Sequence, residues 1–158
     1  MIQLRQAVIV EGKYDQIRLS SLIDATIIPV GGFRIYRDKG LLELIKLPAR
    51  RTGIIILTDS DSAGFRIRSY LKSCVREGQV LHAYIPDVLG KEPRKAAPGK
   101  EGKLGVEGME TQALLQALSI AGACPQERAG LSGGEGAARR ITKADLFADG
   151  FSGAPDSR

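Results

Sequence analysis

The sequence predicts an α/β fold: a Rossmann-like, mainly parallel four-stranded sheet with helices on both faces. Two observations lead there. Short apolar runs rich in β-branched residues alternate with longer segments whose apolar positions recur at helical spacing, the pattern of strands joined by crossover helices. The first and third of these runs end on acidic residues, at the carboxyl ends of strands, where parallel sheets place their sites.

The first strand is Ala7-Val8-Ile9-Val10, fully apolar and stopped by Glu11-Gly12. Residues 13–23 carry Leu19, Leu22 and Ile23 at helical spacing and predict a helix closed by Asp24. Residues 26–30 form a second strand, short or at an edge because Pro29 cannot donate to a ladder. Gly31-Gly32 signals a loop, and residues 41–47 predict a second helix before Pro48. The third strand, residues 53–58, is the strongest and belongs in the centre; it runs directly into Asp59-Ser60-Asp61-Ser62. In the next helix Ile67, Tyr70, Leu71, Cys74 and Val75 form the apolar stripe, Arg66, Arg68, Lys72 and Arg76 fall outside it, and Ser62 can serve as N-cap. Residues 80–85 make a fourth strand ended by Pro86, and residues 90–105 a long surface loop rich in Lys, Gly and Pro. Thr111, Leu114, Leu115 and Leu118 mark a last helix stopped by Gly122. Beyond it, residues 129–136 are Gly-rich and read as flexible, and residues 141–149 suffice only for a short helix.

A chain of 158 residues, 43% hydrophobic and 26% charged, accommodates one folded catalytic module rather than two domains of ordinary size. No apolar stretch reaches membrane-spanning length and residues 1–6 lack the core of a signal peptide, so a cytoplasmic protein without a membrane partner is expected. The two cysteines, Cys74 and Cys124, are far apart; neither a zinc ribbon nor a disulfide framework is suggested, and Cys74 reads as core and Cys124 as loop. The formal charge of +5 favours a polyanionic partner but decides little alone.

Glu11, Asp59 and Asp61 converge on one rim of the sheet from points remote in sequence. Clustered carboxylates repel one another, and a hard divalent cation such as Mg²⁺, which takes oxygen ligands in octahedral geometry, resolves the repulsion. The alternative is that Asp-Ser-Asp-Ser caps a helix and Glu11 is a solvated turn residue. Gly12 and Gly64 permit close backbone approach, or serve tight turns, and the helix N-termini beside them offer amides to phosphate, with Lys13 adding charge. In the loop, Lys91, Arg94, Lys95, Lys100 and Lys103 read as a clamp on a nucleic-acid backbone or as a solvated charge run; without apolar anchors the loop is expected to be mobile until a partner binds. Arg34, Arg37, Arg50 and Arg51 are weaker candidates for the same surface. Phe33, after Gly31-Gly32, stacks on a splayed base or plugs a hydrophobic gap. His82 is the only histidine, which excludes two-histidine RNA cleavage by a monomer and leaves His82 structural.

Val8-Ile9-Val10-Glu11-Gly12-Lys13-Tyr14-Asp15 together with Ile55-Ile56-Leu57-Thr58-Asp59-Ser60-Asp61-Ser62-Ala63-Gly64 resembles the Toprim signature of topoisomerases, bacterial primases and certain nucleases. Within that group the chain resembles the ribonuclease M5 family, endonucleases that mature 5S ribosomal RNA. That likeness extends through His82-Ala83-Tyr84-Ile85-Pro86, the Lys-rich loop, Gly105-Val106-Glu107-Gly108 and Lys143-Ala144-Asp145-Leu146. The resemblance implies a Toprim fold over residues 1–122. It further implies that residues 123–158 are a flexible tail leading toward a small helical RNA-binding domain, which the chain stops short of.

It also implies that Asp59 and Asp61 are the metal ligands and that Glu11 is a general acid/base or a ligand of a second metal. One or two Mg²⁺ ions, with Mn²⁺ able to substitute, are the implied cofactors. Glu107 matches an acidic family position, as a further ligand or as a surface residue leading a helix, and Asp15 is outer shell or an exposed first-turn acid. The implied activity is Mg²⁺-dependent hydrolysis of an RNA phosphodiester in the 5S ribosomal RNA precursor, leaving 5′-phosphate and 3′-hydroxyl ends, with a ribosomal protein on that RNA as a further partner. Two rivals stand beside it: a Toprim module that binds nucleic acid without cutting, and an aspartate-dependent phosphatase. The second normally carries its aspartate pair after the first core strand rather than the third.

Overall fold

A computed structural model describes residues 1–123. The central sheet is four-stranded and parallel throughout, in the order β4-β2-β5-β6, with β2 at Ala7–Val10, β4 at Ile27–Pro29, β5 at Ile54–Thr58 and β6 at Val80–Tyr84. Helices α1 (Lys13–Ser20), α2 (Lys39–Arg51), α3 (Ser62–Cys74) and α4 (Thr111–Ala121) cover its two faces. No helix among the described residues is long and apolar enough to cross a membrane.

The unbroken apolar runs of β2 and β5 follow from burial on both faces. Val8 and Val10 of β2 and Ile55 and Leu57 of β5 point into a core shared with Leu19 of α1 and with Leu114, Leu115 and Leu118 of α4. The alternating residues, Ala7 and Ile9 with Ile54 and Ile56, point into a second core with Ile45 and Ala49 of α2 and Ile67 and Leu71 of α3. Residues 54–57 are all fully excluded from solvent, and each such side chain contributes on the order of 1.5–3 kcal/mol. The register sets Val10 beside Leu57, so β2 and β5 finish level and deliver Glu11 and Asp59 to the same edge.

Pro29 does lie in a short edge strand, as its missing donor requires. Other boundaries differ from expectation. The first helix stops at Ser20, because Ile23 is taken by a separate two-stranded parallel sheet in which β1 (Ile2–Gln3) pairs with β3 (Ile23–Asp24). The N-terminal residues gave no strand signal by themselves; Ile2 is buried only through that pairing and its contacts with the first core. The second helix runs through Pro48 to Arg51: Ile45 and Ala49 are buried on either side of the proline, and tertiary packing outweighs its local cost. Gly31-Gly32 opens a 3₁₀ turn over Gly32–Tyr36. Cys74 is half-buried rather than core, and Cys124 lies outside the described residues, as do the segments 129–136 and 141–149.

Two corrections concern α3. Its N-cap is Asp61, whose carboxylate accepts from the Gly64 amide, and not Ser62. Arg68, placed outside the apolar stripe by periodicity, is 5% exposed. Its guanidinium reaches under the sheet edge, donating to the Ile56 and Ala83 carbonyls at 3.1 and 2.7 Å, to Thr58 Oγ1 at 3.2 Å and to His82 Nδ1 at 3.1 Å. Backbone carbonyls of β5 and β6 take the place of a carboxylate beside this buried cation, whose Nε is left without a partner, and this is why spacing alone misassigned it. His82 is structural through that contact, held below the usual imidazole range by burial and by the charges of Arg68 and Lys72.

Candidate active site

Glu11 and Gly12 join β2 to α1, and Asp59 to Asp61 join β5 to α3, so both acidic segments sit where a strand gives way to a helix. The Glu11 carbonyl accepts from the Gly31 and Gly32 amides at 2.9 and 3.0 Å, which fixes the backbone of this loop against the turn after β4. The Glu11 carboxylate has one oxygen, Oε2, buried without a hydrogen-bond partner. It is pushed up to about 7, first by burial and then by the charges of Asp59, Asp61 and Asp15, with Lys95 pulling the other way. Glu11, Asp59 and Asp61 therefore share one electrostatic neighbourhood, as the strand ends predict.

Asp59 is raised mainly by burial; its Oδ1 accepts from the Val106 amide at 2.8 Å, which works against that shift. Gly105 lies directly against it: a Cβ there would come within 2.5 Å of both Asp59 oxygens. Gly64 is equally confined, since a Cβ would collide with the Asp59 carbonyl. These two glycines let the 105–108 segment and the first turn of α3 close around the aspartate.

Asp15 is the residue the sequence undervalued. It is 8% exposed, accepts from the Gly12 amide through Oδ2 at 3.0 Å and from the Glu107 amide through Oδ1 at 3.1 Å, and so joins the start of α1 to the 106–108 turn. Burial, followed by the charge of Asp59, pushes it up to about 7. Its place three residues after the N-cap Gly12 was the available signal.

Glu107 pairs with Arg94, while its charge and its amide act on Asp15. Both of its oxygens accept from Arg94, each at 3.1 Å, and the Arg94 guanidinium also lies over the Tyr14 ring at 3.8 Å. The other basic residues divide. Lys95 pairs at 2.8 Å with Glu92, whose other oxygen accepts from the Gly105 amide. Burial alone would raise Glu92; Lys95 and the Gly105 amide hold it below the usual range instead. Lys103 donates to the Ser60 carbonyl at 3.0 Å and faces Asp87 and Glu101 at 3.4 Å. Lys91 donates to the Lys95 carbonyl, while Lys13 and Lys100 are exposed. The loop expected to lack an anchor thus has one, in Glu92, which is 1% exposed, and an antiparallel bridge between Leu89 and Lys103 closes its base. A charged residue acting as the buried anchor is invisible to an apolar pattern.

The helix-terminal amides are also engaged: Gly12 donates to Asp15, Gly64 to Asp61, and Ser62 to Glu101 at 2.9 Å. Among the described residues no set of three or more Asp, Glu, His or Cys side chains is drawn into a closed metal cage. Asp61 turns one oxygen to its own helix. The donor set still fits a hard cation: it is all carboxylate oxygen, one oxygen is buried and unpartnered, and Glu11 is raised by burial first and then by its carboxylate neighbours.

The Toprim domain model matches residues 6–88, which run from the start of β2 past the end of β6 and include both acidic segments. A Ribonuclease M5 of Clostridium botulinum is 36% identical over 118 residues, 75% of this chain and 59% of that protein. A Ribonuclease M5 of Fusobacterium nucleatum is 34% identical over 119 residues, with the same shares. The chain thus spans about three-fifths of the length of these curated relatives. Among solved structures, a small Toprim domain protein from Bacillus stearothermophilus aligns with a TM-score of 0.48 and 17% identity, over 80% of this chain and 96% of that one. With its parallel sheet, its acidic strand ends and a family match over more than half its length, this chain belongs to the Toprim domain family.

Proposed function

We propose that this chain is the catalytic module of a metal-dependent endoribonuclease that hydrolyses phosphodiester bonds in ribosomal RNA precursors, with the 5S precursor as substrate. The observation that carries the reading is Glu11: a carboxylate with a buried, unpartnered oxygen at the end of β2, within the field of Asp59 and Asp61 after β5 and of Asp15 in α1. Relatives named Ribonuclease M5 supply the substrate class.

Asp59 and Asp61 are the residues that would hold Mg²⁺, or Mn²⁺ in its place, with Glu11 beside them. A bound divalent ion supplies charge to offset the carboxylates and polarises a phosphoryl oxygen. Asp59 is kept in place by the Val106 amide and by the lack of a side chain on Gly105. Asp61 is oriented by its bond to the Gly64 amide. Glu11 lies beside them with one oxygen buried and unpartnered, which suits it to accept a proton from an attacking water or return one to the leaving oxygen. Asp15 acts on position, holding the 106–108 turn that in turn holds Asp59. Lys13 and Lys100 are the exposed cations best placed by the sequence to meet RNA phosphates, whereas Arg94, Lys95 and Lys103 shape the loop through their internal pairs.

The test is incubation with precursor 5S RNA and Mg²⁺, with product ends mapped. Asp59→Asn and Glu11→Gln are each expected to lower cleavage at least ~100-fold while keeping the fold. Unchanged cleavage by either variant removes the assignment.

A further inference from the structure

Within the Lys-rich segment, residues 92–95 close into a turn. The Glu92 carbonyl accepts from the Lys95 amide at 3.0 Å, and Pro93, whose ring fixes φ, takes the second position. Lys95 sets its ammonium 2.8 Å from the Glu92 carboxylate, and Lys91 donates to the Lys95 carbonyl, so the turn is bound up within itself. Glu92 is 1% exposed, and a charge buried to that degree persists only beside a partner. Turns at a surface do not require a buried charge, and what this carboxylate holds accounts for it.

The turn grips residues 105–107 at two points. Glu92 accepts from the Gly105 amide through Oε1 at 2.9 Å. Arg94 donates from Nε and Nη2 to the two Glu107 oxygens, each at 3.1 Å, with its guanidinium backed by the Tyr14 ring at 3.8 Å. Glycines let the partners close: a Cβ on Gly108 would meet Glu92 Cγ at 3.2 Å, and one on Gly105 would strike Asp59. Between the two grips, successive amides face carboxylates of the acidic site. Val106 donates to Asp59 Oδ1 at 2.8 Å and Glu107 to Asp15 Oδ1 at 3.1 Å. These amides belong to a single 3₁₀ turn over Val106–Gly108, too short to hold itself, so its orientation is imposed from outside.

We propose that the 92–95 turn is a brace that aims the Val106 amide at Asp59, which makes Glu92 and Arg94 positioning residues for a divalent ion held by that carboxylate. The inference rests on the reading of the acidic site as a metal site and names the residues outside it that set its affinity. With Oδ1 held, the Asp59 carboxylate is oriented before any ion arrives; without that bond, ordering it weakens binding.

The test titrates Mn²⁺ into the whole chain and reads the free ion by electron paramagnetic resonance. Glu92→Ala and Arg94→Met are each expected to weaken binding roughly 10- to 100-fold. Arg94 is half-exposed, so its variant reports even where loss of the buried Glu92 prevents folding. Glu92→Gln, which keeps an acceptor for Gly105 but no charge for Lys95, should recover most of the loss. Ile45→Ala, which opens a cavity in the second core, controls for a general loss of stability and should bind as the unaltered chain does. Unaltered affinity in both brace variants, or an equal loss in Ile45→Ala, overturns the proposal. In EDTA, NMR-detected hydrogen exchange of the same chains should show the Val106 amide exchanging faster, relative to the Ile9 amide of β2, in Glu92→Ala and Arg94→Met. Unchanged relative exchange overturns the brace whatever the metal does. If Asp59→Asn binds Mn²⁺ as tightly as the unaltered chain while both brace variants release Val106, the metal reading falls and the brace on Asp59 stands.

Discussion

Glu11 and Asp15 rise from ordinary values of 4.5 and 3.8 to about 7 in the folded chain. A carboxyl whose folded pKa exceeds its unfolded one binds its proton more tightly when folded. Its stabilising contribution is full below the unfolded pKa and is lost as pH climbs through the folded one. For Glu11 the window runs from about 4.5 to about 7. In EDTA, Glu11→Gln should melt close to the unaltered chain at pH 4.5 and clearly above it at pH 8, with the gap opening between. His82, held low, and Glu92, held low, shift both proteins together and cancel in the difference. Added Mg²⁺ should raise the melting temperature of the unaltered chain at pH 8 more than that of the variant. A gap that is constant across pH would show that Glu11 does not carry the strain. At this scale Glu11, Asp59 and Asp61 were legible because each ends or follows an apolar run. Asp15, Arg68 and Glu92 were not, because each is buried by a partner far along the chain: Glu107 for Asp15, Ala83 for Arg68 and Gly105 for Glu92.

Elements divide by where their stabilisation comes from. Strands β2 and β5 and helix α4 could be read directly, since continuous burial or a clear stripe marks each of them. Strands β1 and β3 are two residues each and exist through one another, so no local signal announces either. Helix α3 is intermediate: Ile67, Tyr70 and Leu71 of its apolar stripe do face the second core, but the residue that fastens it to the sheet edge is a cation. Arg68 binds carbonyls of both β5 and β6 and lies against the exposed Tyr84 ring at 4.2 Å. Replacing it with methionine keeps the bulk and leaves two strand carbonyls and His82 without their donor. Arg68→Met should lose about 2–4 kcal/mol of stability in urea denaturation, and Arg68→Lys, lacking the planar fork, should recover only part of it. A loss below about 0.5 kcal/mol would mean that water replaces the guanidinium at no cost.

For the molecule as a whole, the alternation of apolar runs and helical stripes foretold a four-stranded parallel sheet, and the period-two sorting of β2 and β5 between two cores is its physical cause. The Lys-rich segment, expected to be mobile for want of apolar anchors, is held at a charged residue instead. Its anchor is the buried Glu92, which pairs with half-exposed Lys95 and accepts from Gly105, and Gly105 packs on Asp59, so direct contacts join the loop to the acidic site.

The strand order β4-β2-β5-β6 has a consequence for motion. The carboxylates hang from the two inner strands, whose backbone groups have partners on either side. In hydrogen–deuterium exchange the amides of Val8 to Val10 and Ile55 to Leu57 should be the slowest, exchanging only through opening of the entire domain, while those of the edge strand β4 exchange sooner through local fraying. Early exchange on β2 or β5 would contradict this ranking. If it holds, the acidic site has no soft hinge beneath it, and whatever adjusts to substrate must do so in the side chains and loops above a floor that yields only when the protein unfolds.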